Sequence, residues 1–516
     1  MLARLLRGLP LQRRLAGHGP VRLAVLLCGM TLIVVWQYGM EPYAARQGDA
    51  WRLEASSGLM EQTRYPRMAR FVYFYHYLGL FPVATEREGL EYSEAGARRE
   101  LAEHGDELVM EWGHAIRGGD LGKVLLYLPG AALTGTAESP SVGLANRVAF
   151  TAALVGLFAA FWWVRQPVLG GLAVAFLGSN PFQLYEVCGN ENVFGWPITT
   201  CLAVLALHVP LLARRRVSRL YLWAVPIATG LLLATTRQIR SETAPVLASS
   251  LVCCLLVGGV RWRTRVGLVV ALLAAFAGGS RGWRAYFGHK FEEARAAVAS
   301  AGGHVYTGPR DHYHAFWHAV WCGLGDFDRK HGYAWNDMSA ARYAHGVITE
   351  RFGLELPPVE EGVVYHWGTW DAAGKYYRTH SEIPHYAEVL REKIVGDIRG
   401  DPLWYLGILA RRVWRVLRET TPVRVSVGVG WLTVPMHGLM LLPVLGVLVW
   451  ARSWMLAKLV CFPLPLSLTA VLIYSGDGTC FYSCYHLLVA AVVGAAAVEL
   501  GLLPLGRSWR IRGREG

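Results

Sequence analysis

Charged side chains are scarce in this chain. Asp, Glu, Lys and Arg make up 17% of its 516 residues, against 53% hydrophobic, and mean hydropathy is +0.29. Soluble domains carry about 25% charged residues, so the shortfall excludes an ordinary soluble protein of this length and points to a polytopic membrane protein. Cysteine is also sparse. The nine cysteines show no paired metal-ligand spacing, which excludes a zinc ribbon, and small thiols inside helices are the common case. Cys480 and Cys484 could still pair with other outer cysteines. Neither G-x-x-x-x-G-K-S/T nor G-x-G-x-x-G occurs in the short loops assigned to the inner face, which argues against an ATP-driven or nucleotide-dependent enzyme.

Long apolar runs are what the sequence has in abundance. They fall near 21–38, 146–164, 168–185, 193–213, 220–236, 243–260, 266–283, 425–450, 456–475 and 483–505, each about long enough to cross a ~30 Å hydrocarbon core. The run at 266–283 is the weakest, because Arg281 cuts it short. The expectation is an all-α polytopic membrane protein with about ten transmembrane helices and two large extracytoplasmic segments containing juxtamembrane helices.

Arginine sets the topology. Arg4, Arg7, Arg13, Arg14 and Arg22 precede the first run; Arg214 to Arg216 with Arg219, then Arg261, Arg263 and Arg265, then Arg452 and Lys458, occupy alternate loops; Arg507, Arg510, Arg512 and Arg514 follow the last. Short cytoplasmic loops collect such residues, so both termini are expected in the cytoplasm, in a bacterial inner membrane. The net charge of +13 is then topogenic and implies no nucleic-acid partner. Gln37-Tyr38-Gly39-Met40-Glu41 is a poor cleavage site, so the first run reads as a retained anchor. The organisation expected is a cytoplasmic N-terminus (1–20), a membrane core (21–283) with an outer loop (39–145), an extracytoplasmic region (284–424), C-terminal membrane helices (425–505) and a cytoplasmic tail (506–516).

The first outer loop carries Gly48-Asp49-Ala50-Trp51, Tyr65-Pro66-Arg67 and an aromatic run, Phe71 to Tyr77, suited to a half-wet interface. From Glu100 to Leu121 the spacing predicts an amphipathic helix, with Leu101, Leu108, Val109, Trp112 and Ile116 on one side and His104, Glu107, Glu111 and His114 on the other. That polar face is either solvated or a site for an acid-base pair or a divalent ion.

At the outer ends of middle spans stand Glu186, Asn190 and Glu191, then Arg237, Arg240 and Glu242. Arginines there run against the positive-inside bias. Guanidinium forks bind phosphate bidentately, although the same residues can pair with lipid headgroups or, for Arg240, with Glu242. The late outer region brings His312, His314 and His318 close to Asp326, Asp328 and Asp337 among aromatics. Rings beside carboxylates suit a sugar, whose C–H face stacks while its hydroxyls hydrogen-bond. Asp326-Phe327-Asp328 also has the form of a short metal-chelating motif, but acidic turns are common. From Glu388 to Arg418 a helical pattern broken at Gly400-Asp401-Pro402 leads back to the membrane.

A large outer loop after the first span, an acidic residue near its start, juxtamembrane helices, and Arg and Glu at outer span ends resemble the GT-C class of membrane glycosyltransferases. That class includes protein mannosyltransferases and the lipid A aminoarabinose transferase. The resemblance covers roughly the first 260 residues as a pattern, not a specific motif. It implies a polyprenyl-phosphate-linked sugar as donor, a lipid, glycan or protein as acceptor, and an outer-loop carboxylate that deprotonates the acceptor. Asp49 is the first choice for that base, with Asp106 and Glu107 as rivals. The substrate-binding set would be Glu186, Asn190, Glu191, Arg237, Arg240, Glu242, Asp326, Asp328 and Asp337. No cofactor is assigned, and a divalent metal stays open. Two alternatives remain: an O-antigen polymerase- or ligase-like enzyme centred on Arg310, His312, His314 and His318, and a non-catalytic transporter or envelope-assembly protein. Against transport, no paired broken helices or internal repeat is evident.

Overall fold

The computed structural model describes residues 19–39, 70–85, 87, 89–110, 112, 121–126, 128–129, 132, 141–180, 195–213, 217–308, 310, 316–359, 369–377, 380–426, 431–473 and 484–499. They are mostly helical. In chain order the apolar helices are α1 (Gly19–Gly39), α3 (Ser141–Trp163), α4 (Pro167–Ser179), α5 (Trp196–Leu212), α6 (Arg219–Ile239), α7 (Val246–Leu255), α8 (Trp262–Ser300), α13 (Leu441–Trp450), α14 (Trp454–Cys461), α15 (Ser467–Leu472) and α16 (Cys484–Glu499). Among the described residues four stretches, Ala145–Trp163, Arg219–Ile239, Trp262–Ser300 and Trp454–Leu472, are long and apolar enough to cross a membrane, and six more apolar helices are shorter. The polar elements are α2 (Glu94–Glu103), α9 (Phe316–Leu324), α10 (Asp337–Phe352), α11 (Tyr386–Gly400) and α12 (Pro402–Arg418).

Three sequence expectations change. The plan is not all helical: antiparallel pairs form between β1 (Val83–Thr85) and β2 (Leu108–Met110), β3 (Thr369–Trp370) and β4 (Tyr376–Tyr377), and β5 (Thr420–Ser426) and β6 (Trp431–His437). The β5–β6 hairpin occupies the first half of the run at 425–450, where a membrane helix is expected. Its alternating Val423, Arg424, Val425 and Ser426 suit a pleated pair, with Val423 opposite Val434 and Val425 opposite Leu432.

The amphipathic helix expected over 100–121 stops at Glu103. His104 caps it, a single 3-10 turn follows at Gly105–Glu107, and Leu108–Met110 turns into β2. A Cβ on Gly105 would sit 2.4 Å from the carbonyl oxygen of Ala301, so the chain makes this turn only where glycine allows close backbone approach. Leu108 and Val109, expected on one helix face, instead enter with Met110 a strand that buries all three of its side chains.

The third change concerns α8. Arg281 and Arg284 end its apolar part but not the helix, which runs 39 residues, about 58 Å at 1.5 Å per residue. A ~30 Å core takes barely half of that, so the helix continues past the boundary expected at 283/284. Close packing against α6 fixes the helix. Gly230 and Ala234 of α6 face Ala275 and Gly279 of α8, with Cβ positions within 2.8 Å of their neighbours. This small-residue seam is what membrane helices use to approach closely in the absence of a hydrophobic drive between them.

The polar segments gather at one end of the apolar helices. There Gly122 packs on Gln238 at the end of α6, Asn180 after α4 donates to Pro422 O (3.0 Å), Arg412 of α12 donates to Val471 O of α15 (3.1 Å), and the Tyr485 hydroxyl of α16 donates to Val416 O (3.2 Å). At the other end Lys458 donates to Leu256 O (3.2 Å), beside the arginine-bearing turn into α8.

Two lobes sit on the polar end. The first joins the helical segment 70–78, β1, α2 and β2 to the far half of α8 around Phe71, Phe74, Phe81, Met110, Phe287 and Phe291. The second joins α9 to α12 around Trp321, Leu324, Ala344, Tyr386, Leu390 and Ile408. Each fully buried large side chain contributes about 1.5–3 kcal/mol.

Candidate functional site

Asp49, Glu186, Asn190 and Glu191 lie outside the described residues, as do His312 and His314. Of the first-loop carboxylates that are described, Asp106 and Glu107 occupy the 3-10 turn and are exposed. Glu107 is loosely paired with Arg87 (3.8 Å) and His104 (3.9 Å). Such open geometry holds neither carboxylate in a fixed direction.

At the polar end of α6, Arg240 and Glu242 form a buried ion pair at 2.7 Å. Two opposite charges can be kept out of water there because each offsets the other's desolvation. Arg237, one turn earlier and half-buried, has no ion-pair partner among the described residues. Of the two candidate phosphate ligands, Arg240 is already matched and Arg237 is available.

In the second lobe Asp326, Asp328 and Asp337 take three different roles. The carboxylate of Asp328 accepts backbone N–H groups of Lys330 (2.9 Å), His331 (3.1 Å) and Tyr333 (2.8 Å), and the Trp404 indole (3.0 Å). Burial alone would raise its pKa, but these donors outweigh it and hold the carboxyl below its ordinary range. Its oxygens organise the loop. Asp326 is buried against Arg412 (3.9 Å) and Arg415 (3.4 Å). Arg412 is wholly buried, and its Nε and Nη2 make no hydrogen bond; burial pulls its pKa down, with Asp326 opposing. This cluster joins the second lobe to the membrane helix end at Val471.

Asp337 begins α10, whose cap Asn336 accepts from Met338 N (2.8 Å). That start points Asp337 at α9, where His318 and Cys322 lie one turn apart and therefore on one face. His318 Nε2 meets Asp337 Oδ1 at 3.0 Å, and the Cys322 thiol reaches the same oxygen at 3.4 Å. The other ring nitrogen, Nδ1, bonds the Tyr386 hydroxyl of α11 at 2.7 Å, and the two rings are stacked. His318 and Cys322 are buried while Asp337 is about half exposed, so the cluster is dry behind and wet in front. Burial, then the adjacent Asp337 charge, pushes the thiol of Cys322 up. A thiol held in that way is a poor free nucleophile. The three ligand-type atoms lie within 4.8 Å of one another.

Next to this cluster, Tyr333 donates to Asp397 (2.7 Å), which also accepts from Lys393 (2.8 Å). The Lys393 ammonium stands over the rings of Tyr333 (5.1 Å) and Tyr343 (5.4 Å). Sequence reasoning names Asp337 and His318 but not Cys322, Tyr386, Arg412 or Asp397. The i, i+4 spacing of His318 and Cys322 was a usable signal; Tyr386, 68 positions from His318, is reached only through packing of α9 on α11. No protein-family model, curated protein or solved structure matches this chain.

Proposed function

We propose that this chain is an integral membrane glycosyltransferase with about ten transmembrane helices and both termini in the cytoplasm. It moves a sugar from a polyprenyl-phosphate donor to a lipid, glycan or protein acceptor on the extracytoplasmic face. The observation that carries this reading is the seating of both polar lobes on one end of the apolar helices, where half-buried Arg237 stands beside the Arg240–Glu242 pair. A donor whose prenyl chain stays among helices must present its phosphate at that level. Arg237 is suited to the departing phosphate, and Arg240 to fixing the turn after α6. The acceptor hydroxyl loses its proton to Asp49, with Asp106 or Glu107 as rivals. Base and cation together supply the two terms that lower the barrier, proton removal and charge stabilisation.

A second reading draws on the buried His318–Asp337–Tyr386 arrangement, which favours a polymerase- or ligase-like reaction on a lipid-linked glycan centred on the late outer region. In that reading Arg310 is less available, being paired with Glu292 at 2.5 Å and lying over the Phe291 ring.

The two separate by mutation. With polyprenyl-phosphate sugars as donors, Asp49→Asn lowers transfer by ~10²-fold or more if Asp49 is the general base. Unchanged turnover in Asp49→Asn and Asp106→Asn, with loss in His318→Ala, moves the reaction to the second lobe.

A further inference from the structure

We infer that His318, Cys322 and Asp337 form a binding site for a single zinc-class divalent cation, with its fourth coordination position open on the wet side of the second lobe. The inference does not depend on the glycosyl-transfer reading. It rests on the convergence of an imidazole nitrogen, a thiol sulfur and a carboxylate oxygen from α9 and the start of α10, each within 4.8 Å of the others.

The separations suit the ion. Zinc bonds of about 2.0 to 2.3 Å in a tetrahedron place neighbouring ligand atoms roughly 3.3 to 3.6 Å apart; the contacts at Asp337 Oδ1 are 3.0 and 3.4 Å. The third pair, the His318 nitrogen and the Cys322 sulfur, lies within 4.8 Å. The donor set of nitrogen, sulfur and oxygen matches zinc and cobalt, whereas calcium and magnesium demand oxygen. Charge also balances: a dication with one thiolate, one carboxylate and a neutral imidazole sums to zero, the least costly state for a site in which two of three ligands are buried.

Without the ion, protons hold the cluster together: the S–H of Cys322 donates to Asp337 and His318 Nε2 bonds the same oxygen. The cation displaces the thiol proton to solvent, and the single proton of the neutral imidazole shifts from Nε2 to Nδ1, which frees the Nε2 lone pair for the metal. That N–H then points at the Tyr386 hydroxyl, already 2.7 Å away. A partner on the distal nitrogen fixes the tautomer and ring plane, as metal-bound histidines generally require. Three protein ligands with one open position is the arrangement of zinc sites that bind water or substrate, while purely structural sites close all four.

The test uses the full-length chain in detergent, stripped with chelator and titrated with Co²⁺ alone and Zn²⁺ alone. The wild type is expected to bind one equivalent, and its cobalt form to show thiolate-to-metal charge-transfer absorption. Cys322→Ser loses that absorption, and Cys484→Ser keeps it. Asp337→Asn, at a half-exposed position that tolerates change, weakens binding, and Tyr386→Phe weakens it ~10- to 100-fold through loss of the histidine's orienting partner. The thermal midpoint of each variant in chelator checks its folding, and Asp337→Asn carries the test if Cys322→Ser does not fold. Absence of a stoichiometric site in the wild type, or charge-transfer absorption and affinity that survive in both Cys322→Ser and Asp337→Asn, overturns the assignment.

Discussion

The two outer lobes rest on the same end of the same helices yet handle charge in opposite ways. In the first, aromatics form the interior and most ion pairs stay at the surface: Arg98 with Glu94 and Arg99 with Glu91 are more than half exposed on both sides, and only Glu100, facing Arg87, is largely covered among the paired carboxylates described there. In the second, Asp326, Arg412, His318 and Glu382 are inside. Glu382 there accepts from Thr307 N (3.2 Å) and meets His304 (3.3 Å), tying the loop after α8 to the lobe. Burying ionisable groups costs several kcal/mol per ion unless each is matched, so a fold that does so repeatedly has fixed their directions. The first lobe keeps most of its charge at the surface; the second fixes the directions of several buried ionisable groups.

Substitutions that break this contrast should rank by burial. Arg412→Met removes one of two guanidiniums facing the buried Asp326, together with the link to Val471, and is expected to cost about 3 to 5 kcal/mol. Thermal unfolding in detergent measures it, and adding Asp326→Asn should recover part of the loss. A variant as stable as the wild type would mean the interface does not depend on charge. Tyr333→Phe deletes the hydrogen bond to Asp397 and should cost about 1.5 to 3 kcal/mol, as for a bond to a charged group. No change in the unfolding midpoint would place that pair outside the folding core.

Acid should act on the second lobe. The carboxyls of Asp328 and Asp397 are held below their ordinary values although burial opposes it, the first by backbone N–H groups and the second by Lys393 and Tyr333. A depressed folded-state pKa contributes stability that is fully present above the unfolded value of about 3.9 and disappears as pH falls through the folded value. Fluorescence of the tryptophan-rich second lobe should therefore report loosening below about pH 4, and retention of its native signal well below that would contradict the linkage. The smallest effect is expected from Arg98→Ala on α2, about 0.3 to 0.5 kcal/mol for an exposed i, i+4 pair, near the limit of calorimetric detection.

What could be read from sequence follows from which signals are local. The apolar helices α1, α3 to α8 and α13 to α16 fall in or beside apolar runs of the sequence, and four described stretches among them have the length and hydropathy that a membrane helix needs. The hairpin at 420–437 escaped because averaged hydropathy ignores period: Val423 and Val425 alternate with Arg424 and Ser426, a two-residue repeat that an apolar total hides. The true length of α8 escaped because Ala, Glu, Lys and Arg after Trp283 are good helix formers even though they are poor membrane residues. Of the site, His318 and Asp337 were visible as residue types among aromatics. The i, i+4 spacing of His318 and Cys322 was legible, but the meeting of that face with Asp337 and Tyr386 was not, because it is made where α9, α10 and α11 pack together.

The central claim, sugar transfer from a lipid-phosphate donor at this membrane face, is tested most directly by release of polyprenyl phosphate from a panel of polyprenyl-phosphate hexoses and pentoses. The assay uses the full chain in liposomes and compares wild type with Arg237→Ala and Asp49→Asn. Release by the wild type from at least one donor, with a raised donor KM in Arg237→Ala and a lowered kcat in Asp49→Asn, is the predicted result. No release from any donor, or release at the wild-type rate by both variants, would contradict it.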